Sequence, residues 1–264
     1  MNFASYNIQY GFGLDGRYDL ARIARSLEGA DVIALQEVTR GFSRNGFADM
    51  VADVAAFFPD YFWVYGPACD MHVEAAKGGL QPVPGTRFQF GNMVLSRWPI
   101  VSTRTLLLPR SRTIGKINLQ RAATEAVIDA PGGAIRVYSV HLDHVSADER
   151  IRQLQFLNAR INAFVQEGGS LTGGGEFDLP EPPLPEDYVI MGDFNLERNR
   201  RNIARLPGLA ADTTAAWRGS ARRWTPLRRS RPIARGATAG WILRITANAC
   251  ISIIVSSVVA CRAN

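Results

Sequence analysis

Short apolar runs that close on a polar residue set the rhythm of this chain. Residues 2–8 alternate between apolar and polar positions and predict a β-strand carrying Asn7 near its end. Leu20, Ile23, Ala24 and Leu27 recur at helical spacing, which predicts a helix over 18–27. Residues 31–36 form a brief apolar strand that ends at Glu37. A helix is expected over 47–57 and a strand over 61–65. Residues 66–89 hold four glycines and three prolines and read as a long loop, after which 90–96 returns to strand. Residues 125–129 and 134–140 flank Pro131-Gly132-Gly133, a hairpin signal. Ile151, Leu154, Leu157, Ile161 and Phe164 line one face of a helix over 147–164. A Gly-, Pro- and acid-rich excursion over 168–187 precedes Tyr188-Val189-Ile190-Met191, a buried-strand run that stops at Gly192-Asp193-Phe194-Asn195.

The helices are few and lie between groups of strands, and several connections look like hairpins. That order predicts an α+β architecture: two packed, mostly antiparallel sheets with helices on their outer faces. No repeat or inter-domain linker interrupts it, so one domain is expected over 1–264.

Composition narrows the picture. Hydrophobic residues make up 47% of the chain and charged residues 20%, the profile of a soluble globule. Cys69, Cys250 and Cys261 show no metal spacing and no disulfide framework, which makes a reducing compartment the default. No basic segment leads into an apolar stretch at the start, so a cytoplasmic location is expected. Residues 245–261 are apolar but shorter than the roughly 20 residues that span a bilayer. Asn248 and three serines interrupt them, and they read as strands, with no transmembrane segment. Residues 1–199 hold 18 basic and 23 acidic side chains, whereas 200–264 hold 12 arginines and only Asp212. The body is mildly acidic and the tail strongly basic. Such a tail either contacts phosphates or is a solvated Arg-rich loop.

Four runs deliver polar side chains in the same style. They present Asn7, Glu37, His141 with Asp143 two residues on, and Asp193 with Asn195. Carboxylate and amide oxygens suit a hard cation such as Mg²⁺, which commonly takes one or two carboxylates plus water and substrate phosphate. His141 can meet a phosphoryl oxygen, and Asp193 can orient or deprotonate water. The set describes metal-assisted hydrolysis of a phosphomonoester or phosphodiester. Each residue also admits a plainer role. Asn7 can cap a turn, Glu37 can be a surface carboxylate, His141 a core histidine, and Asp143 and His144 local hydrogen-bonders.

Ser5-Tyr6-Asn7-Ile8, Leu35-Gln36-Glu37-Val38, Gly91-Asn92-Met93-Val94-Leu95-Ser96-Arg97, Ser139-Val140-His141-Leu142-Asp143-His144 and Gly192-Asp193-Phe194-Asn195 resemble, in order, the motifs of the endonuclease/exonuclease/phosphatase (DNase I-like) superfamily. The resemblance spans about residues 1–200. It implies a four-layer α/β sandwich and a Mg²⁺-dependent phosphoesterase, with Mn²⁺ as a substitute. It implies that Glu37 is the principal metal ligand and that Asn7 supports the metal site. His141 and Asn195 would contact the scissile phosphate, and Asp193 would position the attacking water. Asn92, Arg97 and Asp143 are lesser candidates for substrate binding. The substrate would be nucleic acid, a phospholipid headgroup or a small phosphodiester, and no stable protein partner is implied.

The pattern then departs. The superfamily closes with a strand resembling Arg-Ile-Asp-Tyr-Ile and a later Ser-Asp-His motif. Here Gly240-Trp241-Ile242-Leu243-Arg244-Ile245 lacks the aspartate, residues 252–260 read as the next strand, and Ser-Asp-His is absent. All three histidines, His72, His141 and His144, precede residue 145. Truncation, a frameshift across the atypical basic segment at about 218–244, or degeneration to a non-catalytic phosphate- or metal-binding relic would each produce this. The first two are the favoured expectation, with an incomplete last-strand region and impaired turnover.

Overall fold

The computed structural model describes residues 1–72 and 87–195, together with the backbone of 241–244 and 252–256. Among the described residues, two five-stranded mixed sheets face each other. The first has the order β3 (Phe62–Met71), β4 (Phe88–Ser96), β2 (Val32–Arg40), β1 (Asn2–Asn7), β9 (Trp241–Arg244). The second runs β10 (Ser252–Ser256), β8 (Tyr188–Asp193), β7 (Gly133–His141), β6 (Ala122–Ala130), β5 (Ile100–Leu107). The pairs β1–β2, β7–β8 and β8–β10 are parallel; the other neighbours are antiparallel.

Strand alternation sorts the apolar residues into layers. Ile33, Leu35, Met93 and Leu95 pack outward against α1 (Leu20–Ser26) and α2 (Met50–Ala56). Phe3, Val32, Ala34, Val94, Ile128, Val137, Val189 and Met191 fill the space between the sheets. Tyr138, Val140 and Ile190 face Leu154, Leu157 and Ile161 of α3 (Ala147–Asn162), which is followed by a short turn of helix, α4 (Phe164–Glu167). The result is helix, sheet, sheet, helix: the four-layer sandwich that the sequence pattern predicts. Asp19, Asp49 and Ser146 cap α1, α2 and α3, each accepting a backbone N–H from the first turn. No helix among the described residues is long and apolar enough to cross a membrane.

Several boundaries differ from expectation. Strand β3 runs on to Met71, through Gly66 and Pro67, where a loop was expected. Pro67 is accommodated because β3 is an edge strand with a register shift between Pro67 and Cys69. A Cβ on Gly91 would lie 2.2 Å from the Gly66 carbonyl oxygen, so the two strands approach too closely there for a side chain. Strand β5 has no sequence counterpart, because its polar Ser-Thr-Arg-Thr run forms a half-exposed edge. The strands expected at 240–245 and 252–260 are present as β9 and β10. The rest of the basic segment at 218–244, and everything after Ser256, lies outside the described residues.

Candidate active site

Along the inner faces, each alternating series turns polar toward one rim. The series run Phe3, Ser5, Asn7; Val32, Ala34, Gln36; Val137, Ser139, His141; and Val189, Met191, Asp193. Parallel β1–β2 and β7–β8 end at the same edge, where Asn7 pairs with Gln36 in register and His141 with Asp193. Hydrogen bonds bolt the sheets together beneath that edge. Gln36 Nε2 donates to Ser139 Oγ at 3.0 Å, and Asn92 Nδ2 donates to the Ala122 and Ser139 carbonyls at 2.9 Å each.

Glu37 reaches the rim by a β-bulge. The β2–β4 register shifts between Gln36 and Val38, and Glu37 adopts φ 63°. Without the extra residue, position 37 would follow Ile33 and Leu35 to the outer face. With it, Val38 takes the outer place and Glu37 lines the cleft. Gln9, Tyr10 and Asn195 also have positive φ and also line the cleft. Backbone strain is therefore concentrated here, as it often is at functional sites. At the other wall, Gly192 lets β8 press on β7, since a Cβ there would lie 1.9 Å from the Val140 carbonyl oxygen. That close approach sets Asp193 beside His141.

The cleft holds about 270 Å³ and is lined by Asn7, Glu37, Arg121, His141, Asp193 and Asn195, among others. Asn7 Nδ2 donates to both carboxylates, at 3.1 Å to Glu37 Oε1 and 2.9 Å to Asp193 Oδ2. Its Oδ1 accepts the Gln9 backbone N–H, so its nitrogen faces the acids. His141 Nε2 lies 3.8 Å from Asp193 Oδ2 and 4.0 Å from Glu37 Oε1. Asn195 donates its backbone N–H to Asp193 Oδ1 and its side-chain amide to the Leu142 carbonyl, both at 2.9 Å.

Burial shapes the charges. It pushes Glu37 up to about 7, opposed by the Asn7 hydrogen bond and Arg121 and reinforced by Asp193. It likewise raises Asp193, opposed by its bonds from Asn7 and Asn195. Burial holds His141 well below its ordinary value, and the Arg121 charge adds to the effect. Two carboxylates crowded out of water, both shifted upward by burial, make a donor set that a divalent cation relieves. Mg²⁺ needs no more protein ligands than these. Among the described residues, no cluster of three or more His, Cys, Asp or Glu forms a dedicated metal cage.

Arg121 is the residue that sequence reading missed. It is 5% exposed and leads into β6. Its Nη1 sits 3.1 and 3.0 Å from the two ring nitrogens of His141, and its Nη2 lies 2.8 Å from His144 Nδ1. No carboxylate among the described residues pairs with it directly, and its Nε lacks a partner. The available signal was a cation opening an apolar strand in a segment without acids.

Three sequence candidates fall elsewhere. Arg97 stands at the opposite rim, 3.4 Å from Asp31 and stacked over Tyr61, because antiparallel β4 carries it away from the cleft. Asn92 spends its amide hydrogens bridging the sheets. Asp143 is fully buried, and its carboxylate accepts the Val145 and Ser146 N–H groups, fixing the turn into α3.

The sandwich thus gathers two acids, an asparagine pair and a histidine where its parallel strands end, and comparison with known proteins gives the class. The chain belongs to the Endonuclease/Exonuclease/phosphatase family, whose profile matches residues 4–243. Members of that family are metal-dependent phosphoric ester hydrolases. The fold is similar to that of an endonuclease/exonuclease/phosphatase from Bacteroides vulgatus, with TM-score 0.50, 18% identity, and coverage of 77% of this chain and 70% of that one. It is also similar to that of a conserved protein from Enterococcus faecalis V583, with TM-score 0.50, 15% identity, and coverage of 81% and 72%. An endonuclease/exonuclease/phosphatase from Beutenbergia cavernae is 23% identical over 62% of this chain, at TM-score 0.48. The chain spans only 45% of that protein's length. No curated protein matches.

Proposed function

We propose that this protein hydrolyses a phosphate ester with water as the nucleophile, assisted by Mg²⁺ or Mn²⁺. The observation that carries the reading is the Asn7 amide nitrogen, which holds Glu37 and Asp193 together beside His141 and Arg121. Glu37 would hold the cation, which when bound supplies Lewis-acid neutralisation of phosphoryl charge. Asp193, made more basic by burial, orients the attacking water and accepts its proton. Neutral His141 donates an N–H to a phosphoryl oxygen. Asn195, anchored on the Leu142 carbonyl, donates its second amide hydrogen. Arg121 supplies permanent positive charge, because a guanidinium stays protonated in proteins.

The test is turnover of bis(4-nitrophenyl) phosphate and 4-nitrophenyl phosphate by the full chain. Hydrolysis is expected with Mg²⁺ and not with EDTA. Asp193→Ala is expected to lower kcat by about 10²–10³. Metal-independent turnover, or full activity in Asp193→Ala, would refute the reading.

A second reading is a relic that binds metal and phosphate without turnover. The lack of an aspartate in Trp241-Ile242-Leu243-Arg244-Ile245, where the strand it resembles carries one, favours it. Calorimetric Mg²⁺ binding lost in Glu37→Gln, with no hydrolysis of either ester, would select it.

A further inference from the structure

The segment between β5 and β6 forms a built finger beside the cleft. Its neck closes where Leu108 N donates to the Arg121 carbonyl at 2.9 Å and Gln120 Nε2 to the Leu108 carbonyl at 2.6 Å. Its root is tied to α3, through Ser111 N to Glu149 Oε2 at 2.8 Å and Gln153 Nε2 to the Pro109 carbonyl at 2.9 Å. Higher up, Arg110 Nη1 donates to the Asn118 carbonyl at 3.3 Å. Thr113 Oγ1 donates to the Lys116 carbonyl at 2.9 Å across Gly115, whose φ of 72° makes the turn.

This bracing holds two aliphatic side chains in water. Ile114 at the tip is 90% exposed, the highest value among the large exposed apolar residues described, and Ile117 is 72% exposed. The finger also carries Arg110, Arg112 and Lys116, with Arg121 at its base, and has no acid between Pro109 and Arg121. The acids that meet it, Glu149 and Asp143, are buried. Ile117, Leu119 and Arg121 belong at once to the finger and to the cleft wall.

We propose that this finger docks on an anionic lipid–water interface and presents an amphiphilic phosphate ester to the cleft. The proposal rests on the phosphoesterase reading and names its substrate class. Aliphatic tips flanked by cations suit a bilayer boundary, where the apolar groups leave water and the cations meet anionic headgroups. Single-stranded nucleic acid would call for aromatic stacking platforms, which the finger lacks. A second copy of the same cationic finger would be repelled.

Flotation of the full chain with phosphatidylglycerol and phosphatidylcholine vesicles tests this. Binding is expected to the first and not the second. Ile114→Asp is expected to reduce partitioning at least about tenfold. Arg112→Glu is expected to reduce it about fivefold or more, with the loss growing at low salt. Neither residue lines the cleft, so both variants should retain wild-type turnover of bis(4-nitrophenyl) phosphate. Absence of binding to phosphatidylglycerol, or binding indifferent to Ile114→Asp, overturns the proposal. So does finger-dependent binding of a single-stranded oligonucleotide in place of vesicles. If vesicle binding holds while the soluble ester is never hydrolysed, the docking stands, and the phosphoesterase reading fails together with the substrate class drawn from it.

Discussion

Two clusters of buried charge lie on opposite faces of the second sheet, and they are finished differently. On the outer face, Arg104 makes a forked pair with Glu125 at 2.6 and 2.9 Å and reaches Glu167 at 2.9 Å. Tyr138 donates to Glu125 at 2.8 Å, and Arg136 donates to Tyr138 and to two backbone carbonyls. In the cleft, Arg121 leans on two imidazoles, and the two carboxylates share one amide. Their titration reflects this: hydrogen bonding to Glu125 raises Arg104, whereas burial lowers Arg121. In the outer cluster Glu125 and Glu167 both meet the Arg104 guanidinium within the fold, and among the described residues only Arg136 Nε is left without a partner there. The cleft cluster becomes complete only with groups that the chain does not supply, which distinguishes a structural charge network from a site.

Three measurements sharpen or break that contrast. The largest effect is expected from Glu125→Ala, which takes the forked partner from a mostly buried guanidinium, leaves the Tyr138 hydroxyl without its acceptor and should cost roughly 3–5 kcal/mol in denaturant unfolding. A loss below about 1 kcal/mol would mean that the outer network is dispensable.

Next is Glu37→Gln in EDTA, with the opposite sign. Glu37 is pushed up to about 7, above the ordinary 4.5 it regains on unfolding. Its contribution is thus fully present below about pH 4.5 and is lost as pH rises through about 7. Between those limits the wild type should lose roughly 3 kcal/mol relative to Glu37→Gln. Parallel stability–pH curves for the two proteins would break the comparison. The smallest effect is expected from Glu167→Ala, about 1 kcal/mol, because Arg104 keeps its fork on Glu125.

Much of the site was readable from alternation alone. Asn7, His141 and Asp193 sit at strand ends, and a two-residue period carries them inward with Phe3, Val137 and Val189. Arg97, Asn92 and Asp143 lie outside the cleft lining, because a motif does not say which rim an antiparallel strand end reaches, or whether a polar group is already consumed by the backbone. Arg121 escaped because its importance comes from the company it keeps across 20 residues of chain. Strand β5 escaped because a half-exposed edge carries little apolar signal.

The bulge at Glu37 has a genetic corollary. Gln36 faces inward and Val38 outward, so those two neighbours already satisfy the alternation of β2 without the residue between them. Excising that one codon would leave every later side chain of the strand on its present face while withdrawing the acid from the cleft. The register of the sheet and the presence of a carboxylate in the cleft are thus separable: one in-frame codon deletion removes the second and keeps the first.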